Sequence, residues 1–178
     1  MSKPVDIQEL EKEYIQLKTL CDNFSIEVTR QGVASKTTMP ILEGILIQTN
    51  DNEIKLAVRI QFRTKSWDSI RNKCEQGRFT VKKTVLELQD LIGIRLILLF
   101  KRDLIRVSKL VENHFLVVKK YNTEDRLEEN QFGYLSIHEI VELQKEWLKV
   151  PTLAPFKELK CEIQIRTLVQ HAWSEASH

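Results

Sequence analysis

Between Ile54 and Phe62 the chain alternates strictly. Ile54, Leu56, Val58, Ile60 and Phe62 fall on one side, with Lys55 and Arg59 on the other. A period of two predicts a half-buried strand over 54–63. Upstream the period changes: Leu10, Tyr14, Leu17, Leu20 and Cys21 recur at helical spacing. They predict a helix over roughly 5–33, ended by Gly32 and Ser35. Residues 41–48 are apolar and fit helix or strand alike, and Asn50, Asp51 and Asn52 mark a turn. Ser66 is placed to cap a helix that runs to Lys73, and a second short helix covers Lys83 to Leu88. Leu91 to Phe100 is an almost unbroken apolar run, which predicts a strand buried on both faces.

The second half continues with an amphipathic helix from Leu104 to Phe115 and a short strand from Leu116 to Tyr121. A polar, acidic loop spans Asn122 to Asn130. Strands follow over Tyr134–Leu143 and Lys160–Arg166, then a helix over Thr167–His178. Helices interleaved with strands predict an α/β (α+β) sheet with helices packed on it. No repeat or linker divides it. Residues 1–53 are expected to form an N-terminal helical segment lying on a core unit of residues 54–178.

Composition narrows the class. The 178 residues are 42 % apolar and 29 % charged, the balance of a globular chain with a real core. Twenty-seven basic residues against 25 acidic ones give a net charge of +2, too little to demand a nucleic-acid partner. The three cysteines, Cys21, Cys74 and Cys161, are odd in number and far apart, which excludes a zinc motif or a disulfide framework and fits a reducing cytoplasm. No apolar run is long enough to span a membrane.

The chemistry sits at strand ends. Asp90 precedes one buried run and Glu162 lies in another. A carboxylate there is costly unless it is paired or holds a cation. Two such acids at one sheet edge suit a Mg²⁺-dependent phosphoryl transfer. Asp90 also fits a plain turn residue, and Arg95, inside the apolar run, can pair with Asp90 or Glu162 or reach a phosphate. Arg63, Lys65, Ser66, Ser69 and Lys73 run from a strand end into a helix. Hydroxyls and amines at a helix start suit polyphosphate, although a solvated, capped helix start explains the same spacing. Tyr134, Ser136 and His138 share one strand face, and Glu162, Gln164 and Arg166 share another. Polar faces of that kind line clefts, and an aromatic among hydrogen-bonding groups can stack on a base. His171, Glu175 and His178 also share a helix face, which is read as polar surface rather than a metal site.

Together these segments resemble the synthetase domain of the RelA/SpoT family of alarmone (ppGpp) synthetases. The matching pieces are Arg63 to Ile70 with Lys73, Leu88 to Ile97, Phe132 to His138, and Glu162 to Thr167 leading into Gln170 to Glu175. They stand in the family's order and cover residues 54–178. The resemblance implies a nucleotidyltransferase-like mixed sheet flanked by helices. It implies a GTP diphosphokinase that moves pyrophosphate from ATP to the ribose 3′-OH of GDP or GTP with Mg²⁺. Under it, Arg63, Lys65, Ser66, Ser69, Lys73 and Arg95 hold ATP. Asp90 and Glu162 hold Mg²⁺ and act in catalysis, Glu162 also as base. Tyr134 stacks on the acceptor guanine, and His138 and Gln164 position the acceptor.

No His-Asp dipeptide occurs, so the resemblance is to a small or excised synthetase without a hydrolase domain. The stretch from Glu124 to Asn130, where relatives are basic, is acidic and leaves the choice between GDP and GTP open. Two rivals stay open as well. One is a toxin-like relative that pyrophosphorylates a tRNA 3′ end or an adenine nucleotide. The other is a catalytically weak nucleotide-binding module. A homo-oligomer is compatible with either.

Overall fold

The computed structural model describes residues 7–29, 54–77, 83–122 and 136–176. Helix α1 spans Ile7–Thr29, β1 Gln61–Thr64, α2 Trp67–Glu75, β2 Ile92–Leu98 and α3 Asp103–His114. Strands β3 Phe115–Asn122, β4 Ile137–Leu143 and β5 Cys161–Thr167 follow, then helix α4 Leu168–Ala176. The five strands form one sheet in the order β1-β2-β5-β4-β3. Strands β2 and β5 run parallel at its centre, and the other pairings are antiparallel. This is the mixed sheet flanked by helices that the sequence implies.

One face of the sheet is apolar. Ile92, Ile94, Leu96 and Leu98 of β2 and Cys161, Ile163 and Ile165 of β5 are fully buried there. Each such side chain contributes roughly 1.5–3 kcal/mol by leaving water. Helix α1 covers this core with Leu10, Tyr14, Cys21, Phe24 and Val28, whose steps of three, four and seven trace one stripe. Phe24 meets Phe156 edge-on, with ring centroids 5.4 Å apart. Helix α3 presents Leu104, Val107 and Val111.

Three elements differ from their sequence patterns. The alternating stretch 54–63 is a regular strand only over Gln61–Thr64. Leu56 makes an isolated bridge to Leu98, and Ala57 N–H donates to the Ile97 carbonyl at 2.7 Å. The chain then bends away, leaving Val58 and Phe62 exposed. It lies at the sheet margin, where alternation does not enforce an unbroken ladder. The run from Leu91 to Phe100 pairs only through Leu98, and it is not buried on both faces throughout. Gly93 and Arg95 are half-buried, and Leu99 and Phe100 are exposed. The short helix expected near Lys83 is a single 3₁₀ turn, Val85–Glu87. Residues 30–53 and 123–135, including the ambiguous run 41–48 and the acidic loop, lie outside the described residues, as does His178.

Among the described residues no helix is long and apolar enough to cross a membrane. All three cysteines are free thiols.

Candidate active site

The opposite face of the sheet carries the polar side chains. Register fixes this. Arg63 of β1 stands opposite Gly93, Gly93 opposite Glu162, and Arg95 opposite Gln164. Gln164 pairs with His138 of β4, and His138 with Tyr121 of β3. Because alternate residues share a face, the ladder sets one polar row across all five strands. An open cavity of about 250 Å³ at the β1 end is lined by Gln61, Phe62, Arg63, Gly93, Arg95 and Gln164. With no side chain on Gly93, the Arg63 side chain lies across it; an added Cβ would sit 3.7 Å from Arg63 Cγ.

Where β1 leads into α2, the Ser66 side chain caps α2 by accepting from the Ser69 N–H, and its hydroxyl lies 2.8 Å from that of Ser69. Lys73 is two turns into the helix, and its ammonium donates to Asp90 Oδ2 at 2.9 Å. Lys65 also pairs with Asp90 Oδ2. Burial pushes the Asp90 carboxyl up, but these two ammoniums outweigh it and hold it below the usual carboxylate range. Burial lowers the Lys65 ammonium. Lys73 is raised, first because the neighbouring Lys65, whose own ammonium is lowered, leaves the proton on Lys73, and then by Asp90 and Glu162. Arg95, in contrast, pairs neither with Asp90 nor with Glu162. Its guanidinium lies 3.2 Å from Glu175 of α4.

At the centre, Glu162 is almost wholly buried. Oε1 accepts from the Tyr121 hydroxyl at 2.5 Å and lies 2.9 Å from His138 Nδ1, while Oε2 accepts from Gln164 Nε2 at 2.8 Å. Burial alone would raise its pKa, but the bonds from His138, Tyr121 and Gln164 bring it down to about 2. A carboxylate has about four acceptor positions, so one is left after these three. His138 Nε2 lies 3.0 Å from Ser136 Oγ. Arg166, also buried, donates to Gln164 Oε1 at 3.3 Å. Burial and the neighbouring Arg95 lower its pKa, and its Nε has no hydrogen-bond partner.

Among the described residues no group of three or more His, Cys, Asp or Glu side chains forms a metal cage. The pair Asp90 and Glu162 nevertheless fits Mg²⁺, which takes one or two carboxylates and completes its shell with water and phosphate oxygens. Both carboxyls are ionised at neutral pH, and both act on the Lys73 ammonium.

The structure thus brings together Arg63, Arg95, Glu162, Gln164 and His138 on one face, with Lys65, Lys73 and Asp90 at its edge. Tyr134 lies outside the described residues. Sequence reading missed Tyr121 and Gln61, and took Glu175 only for polar helix surface. The only signal for Tyr121 was its place at the end of a strand pattern, and nothing local tied Glu175 to Arg95, 80 positions away.

Known proteins share this sequence region and this fold. A region found in RelA / SpoT proteins matches residues 62–178. The GTP pyrophosphokinase YwaC of Bacillus subtilis (strain 168) is 31 % identical over 123 residues, 65 % of this chain and 54 % of that protein. The chain thus spans about half the length of that relative. The small alarmone synthetase 1 of Bacillus subtilis bound to its product pppGpp superposes with a TM-score of 0.65 at 22 % identity, covering 96 % of this chain and 78 % of the other. A GTP pyrophosphokinase family protein of Streptococcus pneumoniae gives 0.62 at 24 % identity, covering 96 % and 74 %. At those identities the two structures speak for the fold, while the matched region covers well over half of the sequence. The chain belongs to the RelA/SpoT family.

Proposed function

We propose that this protein transfers the β,γ-pyrophosphate of ATP to the ribose 3′-OH of GDP or GTP. The carrying observation is the placement of two ionised carboxylates: Asp90 at the mouth of β2, paired with Lys65 and Lys73, and Glu162 near the start of the parallel β5, on the sheet face that carries Arg63 and Arg95. The relative named a GTP pyrophosphokinase supports the same reading.

Transfer forms a bond from the 3′-oxygen to the β-phosphorus and breaks that phosphorus's bond to the α,β-bridging oxygen, so that AMP leaves and the 3′-OH proton passes to water. Such chemistry asks for alignment and charge neutralisation. Arg63 and Arg95 line the cavity beside β1, and in this reading they take the base and ribose of ATP. Lys65, Lys73 and the Ser66 and Ser69 hydroxyls face the phosphates. Asp90 and Glu162 would hold Mg²⁺, whose charge offsets that building on the phosphate oxygens when it is bound. With its pKa near 2, Glu162 orients the 3′-OH by accepting its hydrogen bond better than it would keep the proton. His138 and Gln164 fix that carboxylate from either side. Tyr134 is the residue for the acceptor guanine.

Incubation with γ-³²P-labelled ATP and, separately, GDP, GTP, an adenine nucleotide and tRNA tests the proposal. Labelled product with GDP or GTP and Mg²⁺ is expected. Label entering only tRNA or the adenine nucleotide, or entering none of them, would overturn it.

A further inference from the structure

Strand β3 carries a register shift between Val117 and Lys119. Before it, Phe115 and Val117 stand opposite Leu143 and Val141 and belong to the core face. Uninterrupted alternation would send residues 119 and 121 to that same face. The extra residue, Val118, faces no partner, and after it Lys119 pairs with Ile140 and Tyr121 with His138. Tyr121 therefore lands on the polar face. Bulges of this kind re-aim side chains beside active sites.

There Tyr121 makes two separate contacts. Its hydroxyl donates to Glu162 Oε1 at 2.5 Å. Its ring stacks on the His138 imidazole, with centroids 5.0 Å apart and planes inclined by 24°. The two residues that Tyr121 touches also bond each other, His138 Nδ1 to the same Oε1. Tyrosine, histidine and glutamate thus close a triangle at the sheet centre. A free glutamate has three rotatable bonds, and fixing it before substrate arrives removes that disorder from the reaction step.

We propose that Tyr121 is a positioning residue: its hydroxyl sets the Glu162 carboxylate and its ring sets the tilt of His138, both through the bulge at Val118. This rests on the pyrophosphate-transfer reading for its kinetic consequence, but not for its geometry.

The two contacts separate by substitution. Tyr121→Phe keeps the ring and loses the hydroxyl; Tyr121→Leu loses both. In Tyr121→Phe, kcat should fall about ten- to a hundredfold, the scale of one hydrogen bond to a charged group. KM for ATP should hold, because no donor-side residue is touched. Combined with Glu162→Gln, Tyr121→Phe should cost no more than about twofold further, since its effect runs through the charge already removed. The His138 ring-proton NMR signals, shifted by the ring current of Tyr121, should stay in place in Tyr121→Phe and move in Tyr121→Leu.

Full and independent losses in the double variant, or wild-type kcat in Tyr121→Phe, would overturn the hydroxyl role. Unmoved His138 signals in folded Tyr121→Leu would overturn the ring role. An absence of transfer by the wild-type protein would instead count against the proposed reaction, and the NMR comparison would still decide whether Tyr121 orients His138.

Discussion

The Lys73 ammonium, two turns into α2, lies 2.9 Å from Asp90 Oδ2 at the mouth of β2. Lys65 meets the same oxygen from the end of β1. A single carboxylate thus gathers two cations from different elements, while a third group, Glu162, attracts Lys73 from the neighbouring strand. Removing Asp90 leaves two half-buried ammoniums to repel each other. Asp90→Asn is expected to lower pyrophosphate transfer at least a hundredfold, about the scale of losing one preorganised electrostatic group. Far-ultraviolet circular dichroism should be unchanged. Near-wild-type transfer at saturating Mg²⁺ would remove Asp90 from the site.

Glu162 gives a pH dependence with a definite sign. Its carboxyl is held at about 2 in the folded chain, against an ordinary value near 4.5. A depressed acid contributes stability above its unfolded value and loses it as pH falls through the folded one. The melting temperature should therefore drop as pH is lowered from about 5 towards 2, and the drop should be smaller in Glu162→Gln. That variant should also slow transfer by about 10²- to 10³-fold, the scale of losing one preorganised electrostatic group. Retained activity in a destabilised but folded Glu162→Gln protein would reduce Glu162 to a structural partner.

Glu139 has the opposite sign. It lies on the core face of β4, fully buried, taking a 2.5 Å bond from the Ser108 hydroxyl with Lys120 at 3.3 Å. Burial outweighs these partners and raises its pKa. A raised acid adds stability below its unfolded value and loses it as pH climbs through the folded one. Wild type should lose stability relative to Glu139→Gln as pH rises above the ordinary glutamate range. Parallel denaturation curves at several pH values check this, and a constant difference would show that Glu139 does not titrate there.

The pair between Arg95 and Glu175 is partly solvated, with the glutamate side chain 55 % exposed. Its worth to stability is about 0–1 kcal/mol. Glu175→Gln should leave the melting temperature within a few degrees and lower KM for ATP, because Arg95 is released toward the cavity. Arg95→Ala should raise that KM about tenfold, the effect of losing one charged hydrogen bond. A raised KM in Glu175→Gln would mean that the glutamate orients Arg95 for ATP.

How much of this was readable beforehand depended on range. The central strands were legible because Leu91 to Leu98 and Cys161 to Thr167 are dense in apolar residues, and α1 because its stripe has one period. The site strands were legible because Glu162, Gln164 and Arg166 break an apolar pattern at every second place. The broken strand before Gln61 was not legible, since alternation alone cannot distinguish a paired ladder from a margin that bends away. Nor was the partner of Arg95, since nothing local marks a contact over 80 positions. Tyr121 was hidden for a different reason. One inserted residue inverts the face of everything after it, and Val117 and Val118 look alike in sequence.

Helix α1 does more than cover the core. The Tyr14 hydroxyl donates to the Lys65 carbonyl at 2.8 Å, the Thr64 hydroxyl donates to Asp22 at 2.6 Å, and Glu13 accepts from the Val85 N–H at 2.9 Å. All three grips fall on segments leading to the donor-side residues, none on β3, β4 or β5. The acceptor side hangs instead from α3 and the sheet itself. Under the proposed reaction, the two nucleotides would be held by differently anchored parts of one sheet. Loosening these grips, as in Tyr14→Phe, is then expected to change KM for ATP more than KM for the acceptor.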